Sequence, residues 1–394
     1  MLRTIAIGLA ATTMLVSSAL AADKIKIGFV TTLTTPAGVI GEDMKRSVDL
    51  AVEHIGGKMG NLDVEIIYED DAVNPATGKQ KTDKLVQQDN VDIVAGHIWS
   101  HVLLASKKSV LDAGKFLISS NAGPHQLAGA ECDKNFFSTS WQNDQTPEAL
   151  GEVLNKAGIK KVYLMSPNYA AGKDMVSGVE RTFKGEVVGK DLTKWGADMQ
   201  LDFSAELAKV KSSGAEALWV FYPGPAGPAI AKQYEQAGLQ GKVPLYSVYT
   251  FDSLSLPRLQ AAGLKGVLGS RMTLFWSPDL DNEQNKKFVS AFKAKYGSYP
   301  SHYGAQSYDT IFLIKSAVEA VNGDLTNMDG MRAAMEKADF PSVRGKFTYN
   351  KNHLPIQNFY EREVVVDADG NWTTKIVGTV FENRADSYVG ECKM

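Results

Sequence analysis

Residues 24–31 read KIKIGFVT and are followed, after a turn rich in threonine, proline and glycine, by residues 41–55, GEDMKRSVDLAVEHI. The first segment is apolar and β-branched, which is typical of a buried strand. In the second, apolar residues recur every three to four positions from Met44 to Ile55, the spacing of one helix face. A strand that leads through a short turn into a helix begins a βαβ unit, so this stretch predicts an α/β fold.

The same alternation continues along most of the chain. Further strand-like segments are residues 62–68, 91–95, 116–119, 161–165, 185–189, 217–221 and 243–248. Helical patterns occupy residues 76–88, 102–113, 172–183, 204–212, 226–237, 282–296 and 308–322, and a β-rich tail covers residues 344–380. Helices of this length between strands predict parallel sheets with right-handed crossovers, and two successive runs predict two similar lobes.

The first residues have the features of an export signal. Arg3 gives a positive start, an apolar run softened by Thr and Ser follows, and Ala19-Leu20-Ala21 fits an A-x-A cleavage site. The alternative is a membrane anchor, but the run is short and interrupted, whereas a span needs ~20 apolar residues. We expect cleavage after Ala21, with residues 1–21 as the signal peptide, and a location in the periplasm.

The charge pattern excludes two classes of partner. The formal net charge of −3 becomes −4 once Arg3 is removed, and both signs are scattered along the chain. The sequence has no basic patch of the kind that binds nucleic acid. It also has no polybasic run of the kind that binds an anionic membrane surface. The length remaining after cleavage suits two domains of ~100–200 residues each.

The chain has two cysteines, Cys132 and Cys392, and neither lies at the cleavage site where a lipid-anchored exported protein would carry one. Two cysteines in an exported chain can form one disulfide, and the alternative is two buried thiols. A bond between them would close a loop of about 260 residues and, in the chain-entropy model, stabilise the fold by a few kcal/mol.

The loops after the predicted strands are where a ligand is expected. In an open parallel sheet, ligands bind beyond the carboxyl ends of the strands, where helix N-termini offer N–H groups to an anion. These loops are residues 32–41, 96–101, 119–124, 168–172, 222–225 and 249–251. They are rich in aromatic, small and hydroxyl residues and carry almost no charge. The pattern predicts a pocket for a mostly apolar molecule held by a few directed hydrogen bonds.

Over essentially its whole mature length the chain resembles the periplasmic binding proteins of the branched-chain amino acid (Leu/Ile/Val) type, which serve ABC importers. The matching stretches are IKIGFVTTLTTPAGVIGEDM (25–44), YEDDAVNPATGKQ (68–80), VDIVAGHIWS (91–100), FLISSNAGPHQL (116–127), FFSTSWQNDQ (136–145) and the loop with Tyr169. The resemblance implies a type I periplasmic binding fold, with two doubly wound parallel-sheet lobes, a three-strand hinge and ligand buried by hinge closure. It divides the chain into an N-terminal lobe, 22–141 plus 272–348, and a C-terminal lobe, 142–271 plus 349–394.

The resemblance also implies roles for single residues. Ser100 matches the serine that holds a ligand carboxylate, and a simple helix N-cap is the alternative role. Asn121 falls where a backbone carbonyl receives the ammonium group of an amino acid, with Ala122 beside it. Tyr169 matches a tyrosine that closes over the ligand, and Ile40 matches a wall of the specificity pocket.

Two positions depart from the amino-acid-binding pattern. Gly123 stands where the family has a threonine that fixes the amino acid, and Tyr249 aligns with the acidic residue that pairs with the ammonium. Asp252, three residues later, could substitute for that acid. Removing one partner of a buried ion pair costs ~3–5 kcal/mol. We therefore expect a carboxylate without an α-amine.

A surplus of aromatic residues at the strand ends favours a planar aromatic ligand through stacking and phenol hydrogen bonds. The candidates are Trp99, Tyr169, Tyr222, Tyr249 and Phe251, with Thr250 between the last two. The chain resembles the subgroup that takes up aromatic acids of the hydroxycinnamate or benzoate type. Arg271 is a candidate cation for the carboxylate, with a salt bridge at the hinge as the alternative. Core packing is the alternative for Trp99, and packing between the lobes for Tyr222 and Phe251.

Catalytic and metal motifs are absent from the sequence. It has no G-x-S-x-G, H-E-x-x-H or C-x-x-C pattern, so we expect no enzyme and no cofactor. His97, His101 and His125 fall on two loops without thiols, which argues against a metal. The expected function is a monomeric receptor that delivers a small carboxylate to an inner-membrane ABC permease. A binding protein for branched-chain or other amino acids and a free periplasmic ligand sensor are the alternatives.

Overall fold

The structure is a computed structural model that describes residues 24–394, so the predicted signal peptide lies outside the described residues. The strands are β1 (Lys24–Thr31), β2 (Lys58–Met59), β3 (Leu62–Asp70), β4 (Ile93–Gly96), β5 (Phe116–Ser119), β6 (Phe136–Ser138), β7 (Lys161–Pro167), β8 (Glu186–Thr193), β9 (Ala217–Phe221), β10 (Leu245–Val248), β11 (Arg271–Leu274), β12 (Thr348–Tyr349), β13 (Pro355–Val366) and β14 (Trp372–Arg384). The helices are α1 (Gly38–His54), α2 (Pro75–Gln87), α3 (Ser100–Leu111), α4 (His125–Ala128), α5 (Gln145–Lys156), α6 (Ala170–Thr182), α7 (Ser204–Ser212), α8 (Ala226–Gln236), α9 (Leu256–Ala261), α10 (Glu283–Tyr296), α11 (His302–Ala320) and α12 (Met328–Glu336).

The strands form two sheets. The first has six strands in the order β2-β3-β1-β4-β5-β6 and is parallel except for the edge strand β2. The second has eight strands. Its parallel part runs β8-β7-β9-β10-β11, and β13 then pairs antiparallel with β11, β12 and β14. The predicted α/β class with two doubly wound parallel sheets is confirmed.

Later helices return to the first sheet. The long helix α11 packs along α1 and against α12, whereas α5 packs against α6 and strands of the second sheet. The boundaries predicted at 271/272 and 348/349 fall inside β11 and β12, which both belong to the second sheet. The division into lobes stays a prediction.

Helix α5 shows why some elements escape a pattern-based prediction. Its first two turns, from Gln145 to Gly151, are all buried, polar residues included, so the polar residues there do not mark a solvent-facing side. Helix α11 likewise begins at His302, six residues before the predicted start, because the side chain of Ser301 caps it by accepting from the N–H groups of Tyr303 and Gly304. The first turns of α11 are buried and partly polar.

The chain end is tied back to the first half. Cys132, four residues after α4, is bonded to Cys392, and their Cα atoms are 5.6 Å apart. The predicted disulfide is confirmed. Among residues 24–394, no helix combines the length and the hydrophobicity that crossing a bilayer requires.

Candidate functional site

A narrow cavity lies between the two sheets, where strands β4, β5, β7, β9 and β10 end. This is the edge at which parallel sheets bind ligands. Six of the predicted site residues line it: Trp99, Ser100, Asn121, Ala122, Tyr169 and Tyr249. Its free volume is about 10 Å³, enough for about one water molecule, so a ligand must displace side chains or separate the two halves to enter.

Two helix N-termini meet this cavity. Helix α3 begins at Ser100 and α6 at Ala170, and neither first turn is capped by a side chain. The first N–H groups of a helix have no partner within the helix and carry its positive dipole end, which favours an anion. Ser100 Oγ accepts from Nδ2 of Asn143 at 3.1 Å, so its own hydroxyl proton is available to donate. This end of the cavity can therefore bind a carboxylate.

Aromatic rings form an arc around the cavity. Tyr169 lies 6.4 Å from Trp99 on one side and 6.4 Å from Phe221 on the other, measured between ring centroids. The arc continues from Phe221 to Tyr249 at 6.0 Å and ends in a stacked pair, Tyr249 on Trp141, at 4.5 Å. These spacings are those of favourable aromatic pairs, and a planar ring fits such a wall.

The tyrosines of the arc are neutral. Burial raises the pKa of Tyr169 and of Tyr249 well above the usual value for tyrosine. The hydroxyl of Tyr249 forms a hydrogen bond with Thr146 Oγ1. Both rings thus offer the ligand an uncharged face.

None of the cavity-lining residues is acidic or basic. Asp174 lies one layer away, where it accepts hydrogen bonds from Asn143 Nδ2 at 2.9 Å and from the backbone N–H of His125 at 3.2 Å. The carboxylate of Asp252 accepts from the N–H groups of Leu254 and Ser255 and does not line the cavity. A buried ammonium group would therefore lack a direct carboxylate partner.

A buried cation lies close to one end of the arc. Arg362 on β13 is 4% exposed and donates to Thr374 Oγ1. Burial lowers the pKa of Arg362 to about 10. Burial also holds the pKa of His302 well below its usual value, and the nearby Arg362 adds to that effect, so the imidazole is neutral.

Six other predicted residues lie outside the cavity lining. Tyr222 contacts Phe203 and bonds Thr193 Oγ1 at 3.0 Å, and Phe251 packs in the same core cluster of the second sheet. Thr250 Oγ1 accepts from the backbone N–H of Tyr222 at 2.9 Å. These three residues support the strand ends from the core side and do not line the cavity.

Arg271 is directed elsewhere. It forms ion pairs with Glu361 at 3.0 Å and Glu363 at 3.1 Å, on the neighbouring strand β13. The two carboxylates pair with the guanidinium group of Arg271. The residue therefore forms a salt bridge, which was the alternative to a contact with the ligand.

Ile40 and Gly123 border the site without lining it. Ile40 is fully buried and lies beside Gly224 of the second half. The backbone N–H of Gly123 donates to Asn143 Oδ1 at 3.2 Å. A Cβ atom on Gly123 would overlap the carbonyl oxygen of Trp141, so the glycine permits a close backbone approach.

Eight lining residues are additional to the predicted ones: Ile98, Trp141, Asn143, Ala171, Met175, Phe221, Pro223 and Tyr303. Phe221 ends a predicted strand, and Trp141 and Asn143 belong to a stretch already matched by resemblance, so the sequence contained a signal for these three. Tyr303 enters from the first turn of α11, and no local pattern marks that turn.

Comparison with known proteins places this geometry in context. The family described as periplasmic binding protein matches residues 24–371. Leu/Ile/Val-binding protein homolog 6 from Brucella melitensis is 27% identical over 386 residues, which cover 94% of this chain and 95% of the relative.

Two solved structures are similar over nearly the full chain. One is a solute-binding protein of an ABC transporter from R. palustris in complex with benzoate, with a TM-score of 0.86, 31% identity, and coverage of 94% of this chain and 100% of that one. Another from R. palustris, in complex with 4-hydroxybenzoate, has a TM-score of 0.84, 26% identity, and coverage of 93% and 99%. The predicted resemblance is confirmed, and this chain belongs to the periplasmic binding protein family.

Proposed function

We propose that the protein is the periplasmic solute-binding component of an ABC importer and that its ligand is a small aromatic carboxylate. One observation carries the proposal: the cavity combines two uncapped helix N-termini with an arc of aromatic rings and has no acidic side chain in its lining. Such a site favours an anion and a planar ring, and it leaves an ammonium group unpaired.

In the proposed complex, the carboxylate lies at the start of α3, where the hydroxyl of Ser100 and the free backbone N–H groups donate to it. The ring lies against Tyr169, Phe221 and Tyr249. Trp99, Asn121 and Ala122 complete the wall. The relatives that bind benzoate and 4-hydroxybenzoate support this ligand class.

A branched-chain amino acid is the second candidate, because curated relatives are named Leu/Ile/Val-binding proteins. It would require an acidic partner for its ammonium group. Asp174 is the nearest candidate, but Asn143 lies between it and the ligand and already bonds its carboxylate. This arrangement makes the amino acid the weaker proposal.

Transport follows from closure of two lobes on the ligand. A ligand that shifts the open–closed equilibrium from 1:99 to 99:1 must bind the closed state better by ~5.5 kcal/mol. Residues of both halves touch the ligand in the proposed complex, so only the closed form makes all the contacts. That form would then dock, as a monomer, on the inner-membrane permease.

A ligand screen with thermal unfolding tests this function. At ~100 times its dissociation constant, an aromatic acid should add ~2.7 kcal/mol to the free energy of unfolding, and leucine or valine should add none. Stabilisation by leucine with none by benzoate or 4-hydroxybenzoate would contradict the proposal.

Ser100→Ala tests the carboxylate end. The variant loses one charge-assisted hydrogen bond, so its affinity for benzoate in calorimetry should fall roughly ten-fold. Ser106→Ala is the matched control, because Ser106 is buried in the same helix and does not line the cavity. Equal affinities for the two variants would remove Ser100 from the site.

A further inference from the structure

The end of the aromatic arc away from Trp99 carries a polar atom without a partner. Trp141 is 2% exposed and lines the cavity, and within residues 24–394 its indole Nε1 has no hydrogen-bond acceptor. Tyr303 is also 2% exposed and lines the same cavity. A buried N–H group without an acceptor costs free energy, and such groups in native proteins call for an explanation.

Along the ring contacts, Trp141 lies at the opposite end of the arc from Trp99. Ring contacts lead from Trp99 and Tyr169 through Phe221 to Tyr249, and Trp141 stacks on Tyr249. A ligand whose carboxylate lies at Ser100 and whose ring follows the arc therefore directs its opposite edge toward Trp141 and Tyr303. The para position of a benzoate ring is that edge.

The electrostatics of this end favour a neutral group. Asp252 and Asp43 lie close enough to Tyr303 to add to the effect of burial and raise its pKa well above the usual value for tyrosine. Arg362 is the nearby cation, but it does not line the cavity and cannot pair directly with a ligand anion there. A second carboxylate at this end would be desolvated without a direct partner, which is very costly.

We propose that Trp141 and Tyr303 form a subsite for a neutral hydroxyl group, so that the preferred ligands are para-hydroxylated aromatic acids. The indole N–H donates to the phenolic oxygen of the ligand, and the Tyr303 hydroxyl completes the pair as donor or acceptor. This inference rests on the proposed function. An unsubstituted ring leaves the indole N–H of Trp141 unpaired, which is the condition under which a site discriminates most strongly.

Calorimetric titration of the full mature chain with three probes tests the subsite. 4-Hydroxybenzoate should bind roughly ten-fold more tightly than benzoate, and benzene-1,4-dicarboxylate should not bind detectably. Trp141→Phe and Tyr303→Phe keep the rings and remove the polar atoms. Each should reduce the preference for 4-hydroxybenzoate over benzoate roughly ten-fold.

Trp219→Phe is the matched control. Trp219 is fully buried and its Nε1 also lacks an acceptor in the described part of the chain, but it does not line the cavity, so both acids should bind as to the original protein. Urea unfolding followed by circular dichroism shows whether each variant is folded.

The outcomes separate the two proposals. A protein that binds benzoate at least as tightly as 4-hydroxybenzoate, or whose preference survives both substitutions, contradicts the subsite alone. A protein that binds neither acid contradicts the proposed function and the subsite with it.

Discussion

At the scale of single residues, the missing side chain of Gly123 allows a close backbone contact beside the cavity. Gly123 lies against the peptide that joins Trp141 to Gln142, and this peptide leads out of the first sheet toward α5. The same segment supplies Trp141 and Asn143 to the cavity. One position without a side chain thus sets how closely the connecting segment approaches the ligand loop.

Gly123→Ala should lower the free energy of unfolding by about 1–3 kcal/mol, because its methyl group must displace backbone rather than a flexible side chain. Urea unfolding measures the change. Gly378→Ala is the control, since a Cβ there meets no atom within 4 Å, and its effect should be within about 1 kcal/mol. Equal stability of the two variants would show that the segment can shift freely.

At the scale of elements, a buried carboxylate joins α1 to the start of α11. Asp43 on α1 accepts from the backbone N–H of Ser301 at 3.2 Å and from its hydroxyl at 2.5 Å. Burial raises the pKa of Asp43 to about 7, although the hydrogen bonds from Ser301 oppose the shift. The contact matters for the cavity because Tyr303 lies in the turn that Ser301 caps.

The raised pKa has a pH consequence with a defined sign. Between the usual aspartate pKa of ~3.9 and about 7, the folded protein holds a proton on Asp43 that the unfolded chain has released. The contribution of this residue to stability is therefore greatest at low pH and falls as the pH rises through that window.

Asp43→Asn should flatten the dependence of the unfolding free energy on pH between about 4 and 7. It should not abolish the dependence, because burial also raises the pKa of Asp71 and Asp144, each to about 6. Asp198→Asn, at an exposed side chain, is the control and should leave the profile unchanged. Urea unfolding at several pH values across this range measures the profiles. Parallel profiles for the two variants would contradict the role of Asp43.

At the scale of the whole molecule, the disulfide links two distant parts of the chain. Cys132 and Cys392 are 260 residues apart in sequence, and neither lines the ligand cavity. A crosslink over so long a loop stabilises mainly by restricting the unfolded chain, so its loss should affect stability and leave ligand affinity unchanged.

The double variant Cys132→Ser, Cys392→Ser should lose about 2–5 kcal/mol of unfolding free energy in urea. The original protein treated with a thiol reductant should behave in the same way, whereas the reductant should not affect the variant. A variant within about 0.5 kcal/mol of the original would show that the unfolded chain gains little freedom from the cut.

Several features could be predicted from local sequence. Strands β1, β5 and β9 and helix α7 have the predicted bounds, because each has one clear apolar pattern that its neighbours in space reinforce. Residues after β4, β5, β7 and β10 line one cavity, since the carboxyl ends of parallel strands share one edge. The disulfide could be predicted because the chain has only two cysteines and carries a predicted export signal.

Tertiary packing settled the rest. Tyr303 reaches the cavity because α11 packs along α1, a contact between residues some 260 positions apart that no local pattern encodes. Arg271 pairs with two carboxylates on a neighbouring strand. Tyr222 packs in the core because it follows the cavity-lining Phe221, and successive side chains of a strand point to opposite sides. Phe251 packs in the same core beyond the end of β10, after Tyr249, whose φ is 51°. Hydrophobic periodicity and turn residues act over a few positions. They therefore specify the helices and strands and the sheet edge at which the parallel strands end. Which side chains face the ligand depends on how those elements pack, and that is a property of the assembled fold.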